Sequence, residues 1–178
     1  MKYGQGFWVV ENGVRLKDRS RAYPRLQPFE YADGTKDKGW LHLSDFTVDY
    51  VRPGDSTAWR ITIFGDPDPT EFINSFDYDG ASIPPILRPL AADKMAHKWI
   101  VASDLHDLGY CVHGHVTGFT KADWDTALME IGEAYGARAL EARKYWAAVE
   151  AGGWAAWGKT ETEASRYRNL CSFERVPL

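Results

Sequence analysis

Apolar positions follow a two-residue period in the first part of the chain and a helical one in the second. In "FTVDYV", Phe46, Val48 and Tyr50 alternate with Thr47, Asp49 and Val51, as in a strand with one buried face. "RPGDST" then supplies a turn and "AWRITIFG" from Ala58 a second run, which together predict a β-hairpin. "FWVV" near the start predicts a third strand. Between these, "KDRSRAYPRLQPFEYADGTKDKG" is charged and proline-bearing without a period, and is expected to be a long surface excursion. A Gly/Pro loop, "DYDGASIPPILRPL", follows over 77–91, and helical spacing then runs through 92–157.

Three helices are expected there. The first runs from about Ala92 to Cys111. The second starts at "FTKADWD", where Thr120 caps it with Asp123 at the third position, and ends near Gly136. The third covers "ARALEARKYWAAVEAGGWAAW", with Leu140, Tyr145, Trp146 and Val149 available for a core face and Gly152 and Gly153 weakening its end. The tail over 158–178 is polar and carries no assigned element. The expected architecture is α+β in a single domain, 1–178: an N-terminal antiparallel β-sheet, within mainly strands and loops over 1–76, packed on a C-terminal cluster of about three α-helices.

Composition narrows the function classes. With 44% hydrophobic and 14% aromatic residues, the chain has the apolar area to form a core. A net charge of -4 argues against a nucleic-acid partner, which needs a basic surface, although a local basic patch stays open. Cys111 and Cys171 are too few for a disulfide framework and form no C-x-x-C pair, so both read as free thiols. No apolar run is long enough for an integral membrane segment, and the first residues lack a secretory h-region, so a bacterial-type cytosol is the expected location.

The candidate chemistry lies in "SDLHDLGYCVHGH" at 103–115. On a helix, His106 and Tyr110 share a face with Ser103, while Asp107 lies about 100° around the axis. The loop "HGHVTGF" reverses the chain, so the second helix can bring Asp125 opposite His106. A carboxylate facing an imidazole fixes its tautomer and leaves the other nitrogen able to take a proton from water. His106, Asp125 and Tyr110 are therefore the candidate catalytic residues. Asp107, with loop oxygens such as those of Asp79, is the candidate site for a divalent cation such as calcium.

Each feature also has a structural reading. The His106, Tyr110 and Asp125 set serves equally as an interhelical network satisfying buried polar groups. "DGASIP" serves as a turn, with Gly80 and Pro84 setting its backbone. His113 and His115 read as exposed loop residues, and His97 and Lys98 as solvated helix residues. The tryptophans at 99, 124, 146, 154 and 157 read as core mass, any exposed remainder being a protein-binding patch.

In order and spacing, "DGASIP" at Asp79 to Pro84, "HDLGY" at His106 to Tyr110, and Asp125 in "WDTALMEIG" resemble a family of phage and prophage proteins of unknown function. The likeness covers roughly residues 58–157 and brings no established reaction with it. "HDLGY" also looks like the catalytic helix of phospholipases A2. That likeness implies His106 as the water-activating base, Asp107 as a calcium ligand, and Asp125 as the carboxylate orienting His106 with Tyr110 bracing it. The disulfides and glycine-rich calcium loop of those enzymes have no counterpart here.

Two functions follow as expectations. The first is a phage-derived virion, tail-associated or accessory factor that binds phage structural proteins or a host protein, in the bacterial cytoplasm or the virion. The second is a hydrolase using the His106–Asp125 dyad, with or without a cation, on a cell-envelope lipid or another ester or amide. No complete catalytic set is visible in the sequence, which favours the first.

Overall fold

The structure, a computed structural model, describes residues 6–18, 22–29, 39–68, 76–78, 97–112, 118–157 and 167–178. Among them the order is β1 (Phe7–Glu11), β2 (Val14–Arg15), β3 (Leu26–Phe29), β4 (Gly39–His42), β5 (Phe46–Tyr50), β6 (Ala58–Ile63), β7 (Asp77–Tyr78), α1 (Ile100–Val112), α2 (Lys121–Ala134), α3 (Ala139–Gly152), α4 (Trp154–Trp157) and β8 (Cys171–Val176). The fold is α+β. A five-stranded sheet runs β2-β1-β5-β6-β8 and a three-stranded one β3-β4-β7, with every pairing antiparallel.

The expected hairpin is β5–β6, in register from Phe46 opposite Ile63 to Tyr50 opposite Trp59, and "FWVV" is β1 beside it. Phe46, Val48, Tyr50, Ile61 and Ile63 enter the core. On the other face the buried carboxylate of Asp49 accepts from Arg15 Nε at 2.6 Å and Arg60 Nε at 2.9 Å, tying β2, β5 and β6.

Two expectations about strands need correction. The charged excursion carries β3 and leads into β4 at Gly39, and the tail carries β8, which pairs with β6 from Ala58–Val176 to Ile63–Cys171. Pro28 inside β3 weakens the strand pattern, yet β3 is an edge strand, where a missing N–H is tolerated. β8 pairs with a strand more than a hundred residues earlier, so no local turn announces it.

α1 packs along α2 and touches β7 and α4, while α2 packs along α3. Every α1 residue from Val101 to Val112 is buried. Its start at Ile100 is later than the sequence suggested; His97 and Lys98 stand in the preceding turn, Lys98 paired to Glu141 at 2.7 Å. The expected start at Ala92 lies outside the described residues. α2 begins as expected, with a reciprocal Thr120–Asp123 capping box. On α3 the core stripe is Ala142, Tyr145, Ala148 and Val149, whereas Leu140 and Trp146, expected in the core, are exposed. They lie off the stripe, which is made narrow by two alanines. Cys111 and Cys171 are buried free thiols.

Candidate functional site

Half of α1's circumference is polar and carries Ser103, Asp104, His106, Asp107 and Tyr110; the other half carries Val101, Leu105, Leu108 and Val112. A helix buried on all sides must satisfy such a polar half internally. α2 supplies the main partner. Gly109 of α1 has no Cβ and seats the Trp124 ring, which draws α2 close; an added methyl there would collide with the indole. Asp125 follows Trp124 directly and so meets the polar side of α1.

The expected trio is assembled. His106 Nε2 lies 2.9 Å from Asp125 Oδ1, and Tyr110 donates its hydroxyl proton to the same oxygen at 2.7 Å. The His106 and Tyr110 rings meet at a tilt of 36° with centroids 4.2 Å apart, and Trp157 meets Tyr110 edge-on at 5.3 Å. Because an ionised carboxylate only accepts, Nε2 carries the proton. His106 Nδ1 has no hydrogen-bond partner and stands 3.6 Å from Asp107 Oδ1.

A fourth member was not expected. Lys121, at the first position of α2, is only 3% exposed and donates from Nζ to Asp125 Oδ2 at 2.6 Å. The same Nζ donates to the carbonyls of Val149 at 3.1 Å and Glu150 at 3.2 Å, near the C-terminus of α3. A lysine opening a helix opposes that helix's dipole, but here its ammonium complements the negative end of a neighbouring helix. The i,i+4 spacing of Lys121 and Asp125 was the available signal. Gly153 leaves room for the set: a methyl there would meet Tyr110 Oη and Lys121 Cε. α1, α2 and the end of α3 are thus clasped through one carboxylate.

The electrostatics follow. Burial pushes the Asp125 carboxyl up, but hydrogen bonding with His106, Lys121 and Tyr110 outweighs it and holds the group at about 2. Burial pushes His106 down, and the carboxylates of Asp107 and Asp125 more than offset that, leaving it above its ordinary value. Burial and the adjacent Asp125 drive the Tyr110 phenol far upward, so it remains a donor.

The clasp is sealed: His106 is 1% exposed, Asp125 0% and Asp107 8%. Asp107 is thus a buried group beside His106. Among the described residues no group of three or more His, Cys, Asp or Glu side chains is placed to hold a metal ion. Asp79, Ser82, Pro84, His113 and His115 lie outside the described residues. A cavity of about 170 Å³ lined by Tyr23, Arg25 and Asp45 among others includes no member of the clasp.

A second histidine–aspartate pair was not read from the sequence. His42 Nε2 of β4 lies 3.0 Å from Asp104 Oδ1 of α1, and both side chains are fully buried. His42 stands just after the stretch taken for a surface excursion, in a short run to which no strand was assigned. The alternation of Trp40 and His42 with Leu41 and Leu43 was the signal available.

No helix among the described residues is long and apolar enough to cross a membrane. No protein-family model, curated protein or solved structure matches the chain.

Proposed function

We propose that the protein works by binding rather than by catalysis, as a phage-type virion, tail-associated or accessory factor engaging phage structural proteins or a host protein. The observation that carries this reading is the sealed clasp, in which three donors take both oxygens of a carboxylate with no exposed surface. A general base has to reach its substrate, directly or through one water. A polar network joining three helices has to be buried and satisfied, as this one is on its carboxylate side. The phage assignment rests on the order of "DGASIP", "HDLGY" and the Asp125-bearing helix.

A second reading has its own support. With Nε2 held by Asp125, Nδ1 of His106, 3.6 Å from Asp107 Oδ1, is the nitrogen a water-activating hydrolase would use, with a divalent cation such as calcium at Asp107 in one version. One assay separates them. The intact protein is given short-chain phospholipid and aryl-ester substrates, with and without calcium, beside His106→Gln at matched circular dichroism. Binding predicts no turnover dependent on His106. Hydrolysis lost in folded His106→Gln would overturn it. A calcium-dependent thermal shift lost in Asp107→Asn would restore the cation to the site.

A further inference from the structure

The outward face of α3 combines features that the clasp does not use. Leu140 is 69% exposed, Trp146 37% and Trp154, just beyond the helix, 62%. Arg138, Arg143 and Lys144 are exposed on the same surface, and no ion pair among the described residues engages them. Ala147 and Ala151 lie between and keep the face smooth. The acidic residues of α3 are already matched: Glu141 pairs with Lys98 at 2.7 Å, and Glu150 with Lys121 at 3.3 Å. Trp154 sits at the Glu150 end, its ring centroid 5.2 Å from Lys121 Nζ. In a chain of net charge -4, this is a local positive, aromatic surface.

We propose that the exposed face of α3, with Trp154, docks on an anionic lipid surface. Charge complementarity selects that occupant. A second copy related by a twofold axis would set three cations against three, and a neutral apolar partner would leave all three without counter-charge. Indole rings and long cationic stems suit the zone between headgroups and acyl chains, where the ring buries its body and the charge stays at the phosphates. A single convex helix with Leu and Trp beside Arg and Lys has the composition of an interfacial helix lying in the membrane plane. Attachment is peripheral and reversible, and it does not depend on whether the clasp is structural or catalytic.

The test is co-sedimentation of the full chain with vesicles of phosphatidylcholine alone or mixed with phosphatidylglycerol, at low and high salt. The wild type is expected to partition onto the anionic vesicles and to be released by salt. R143E/K144E is expected to weaken partitioning about tenfold or more, since each basic residue near such a surface contributes measurably. W146S/W154S leaves the charge unchanged and is expected to weaken it several-fold. The substituted residues are exposed, and thermal melts confirm that both variants fold. A wild type that ignores anionic vesicles, or variants that bind them as it does, would overturn the proposal. Retention on immobilised polyglutamate without vesicle binding would also overturn it, and would assign the face to an acidic protein.

Discussion

α1 takes part in two buried histidine–aspartate pairs of nearly the same length, 2.9 Å for His106–Asp125 and 3.0 Å for His42–Asp104. They differ in what the carboxylate does next. Asp125 gives its second oxygen to Lys121 and its first also to Tyr110, so its charge is balanced inside the protein. Asp104 Oδ2 has no hydrogen-bond partner. The pairs also differ in reach: the first joins α1 to α2 and, through Lys121, to α3, whereas the second joins α1 to β4. The same imidazole–carboxylate contact is thus one bond of a three-helix clasp in one place and a helix-to-strand tether in the other.

The largest expected effect tests that difference. Asp125→Asn removes the closer of the two carboxylates facing the buried Lys121 ammonium, leaving only Glu150 at 3.3 Å, and should cost about 3–5 kcal/mol of unfolding free energy in urea titrations. Asp104→Asn removes no counter-charge from a lysine and should cost about 1 kcal/mol. Equal losses would erase the distinction. Lys121→Met should be costly alone, yet combined with Asp125→Asn the loss should fall short of the sum by about 1–3 kcal/mol, because each single change strands the other partner.

A smaller effect is local. Gly153 has an ordinary right-handed backbone, φ -78°, so Gly153→Ala brings no dihedral strain but a collision of its methyl with Tyr110 Oη, the Val149 carbonyl and Lys121 Cε. Overpacking of this kind should cost about 3 kcal/mol. It should move the imidazole resonances of His106 in NMR spectra and leave those of His42 in place. Shifts at both histidines would mean that the pairs are coupled through α1.

The same comparison shows what the sequence made legible. The first pair was readable because its parts lie on adjacent helices with strong local signals: the Thr120 cap fixes the start of α2, and helical spacing then fixes the direction of Asp125. Lys121 was missed because an i,i+4 lysine and aspartate usually form a surface pair, and only tertiary packing shows that the end of α3 covers them. His42–Asp104 was hidden because it is a long-range contact to a strand with proline in its neighbour. β8 escaped for the same reason, and Leu140 and Trp146 were misplaced because helical period alone does not say which of two apolar arcs faces inward. The hairpin β5–β6 was clear because alternation and turn stand next to each other in the chain.

The most graded prediction is the pH dependence of the clasp. The Asp125 carboxyl is at about 2 in the folded protein against 3.8 for an ordinary aspartate, so it contributes stability above the unfolded value and loses it as pH falls through about 2. A depression of that size corresponds to about 2 kcal/mol. His106 has the opposite sign. Its folded value lies above 6.5, so its contribution is complete below 6.5 and is lost as pH rises through the folded value. Unfolding free energy measured in urea from pH 2 to 9 should therefore show an acid limb that Asp125→Asn flattens and a shallower alkaline limb that His106→Gln flattens. If the alkaline limb survives in His106→Gln, the clasp imidazole is not the group that titrates there, and the sign assigned to His106 is wrong.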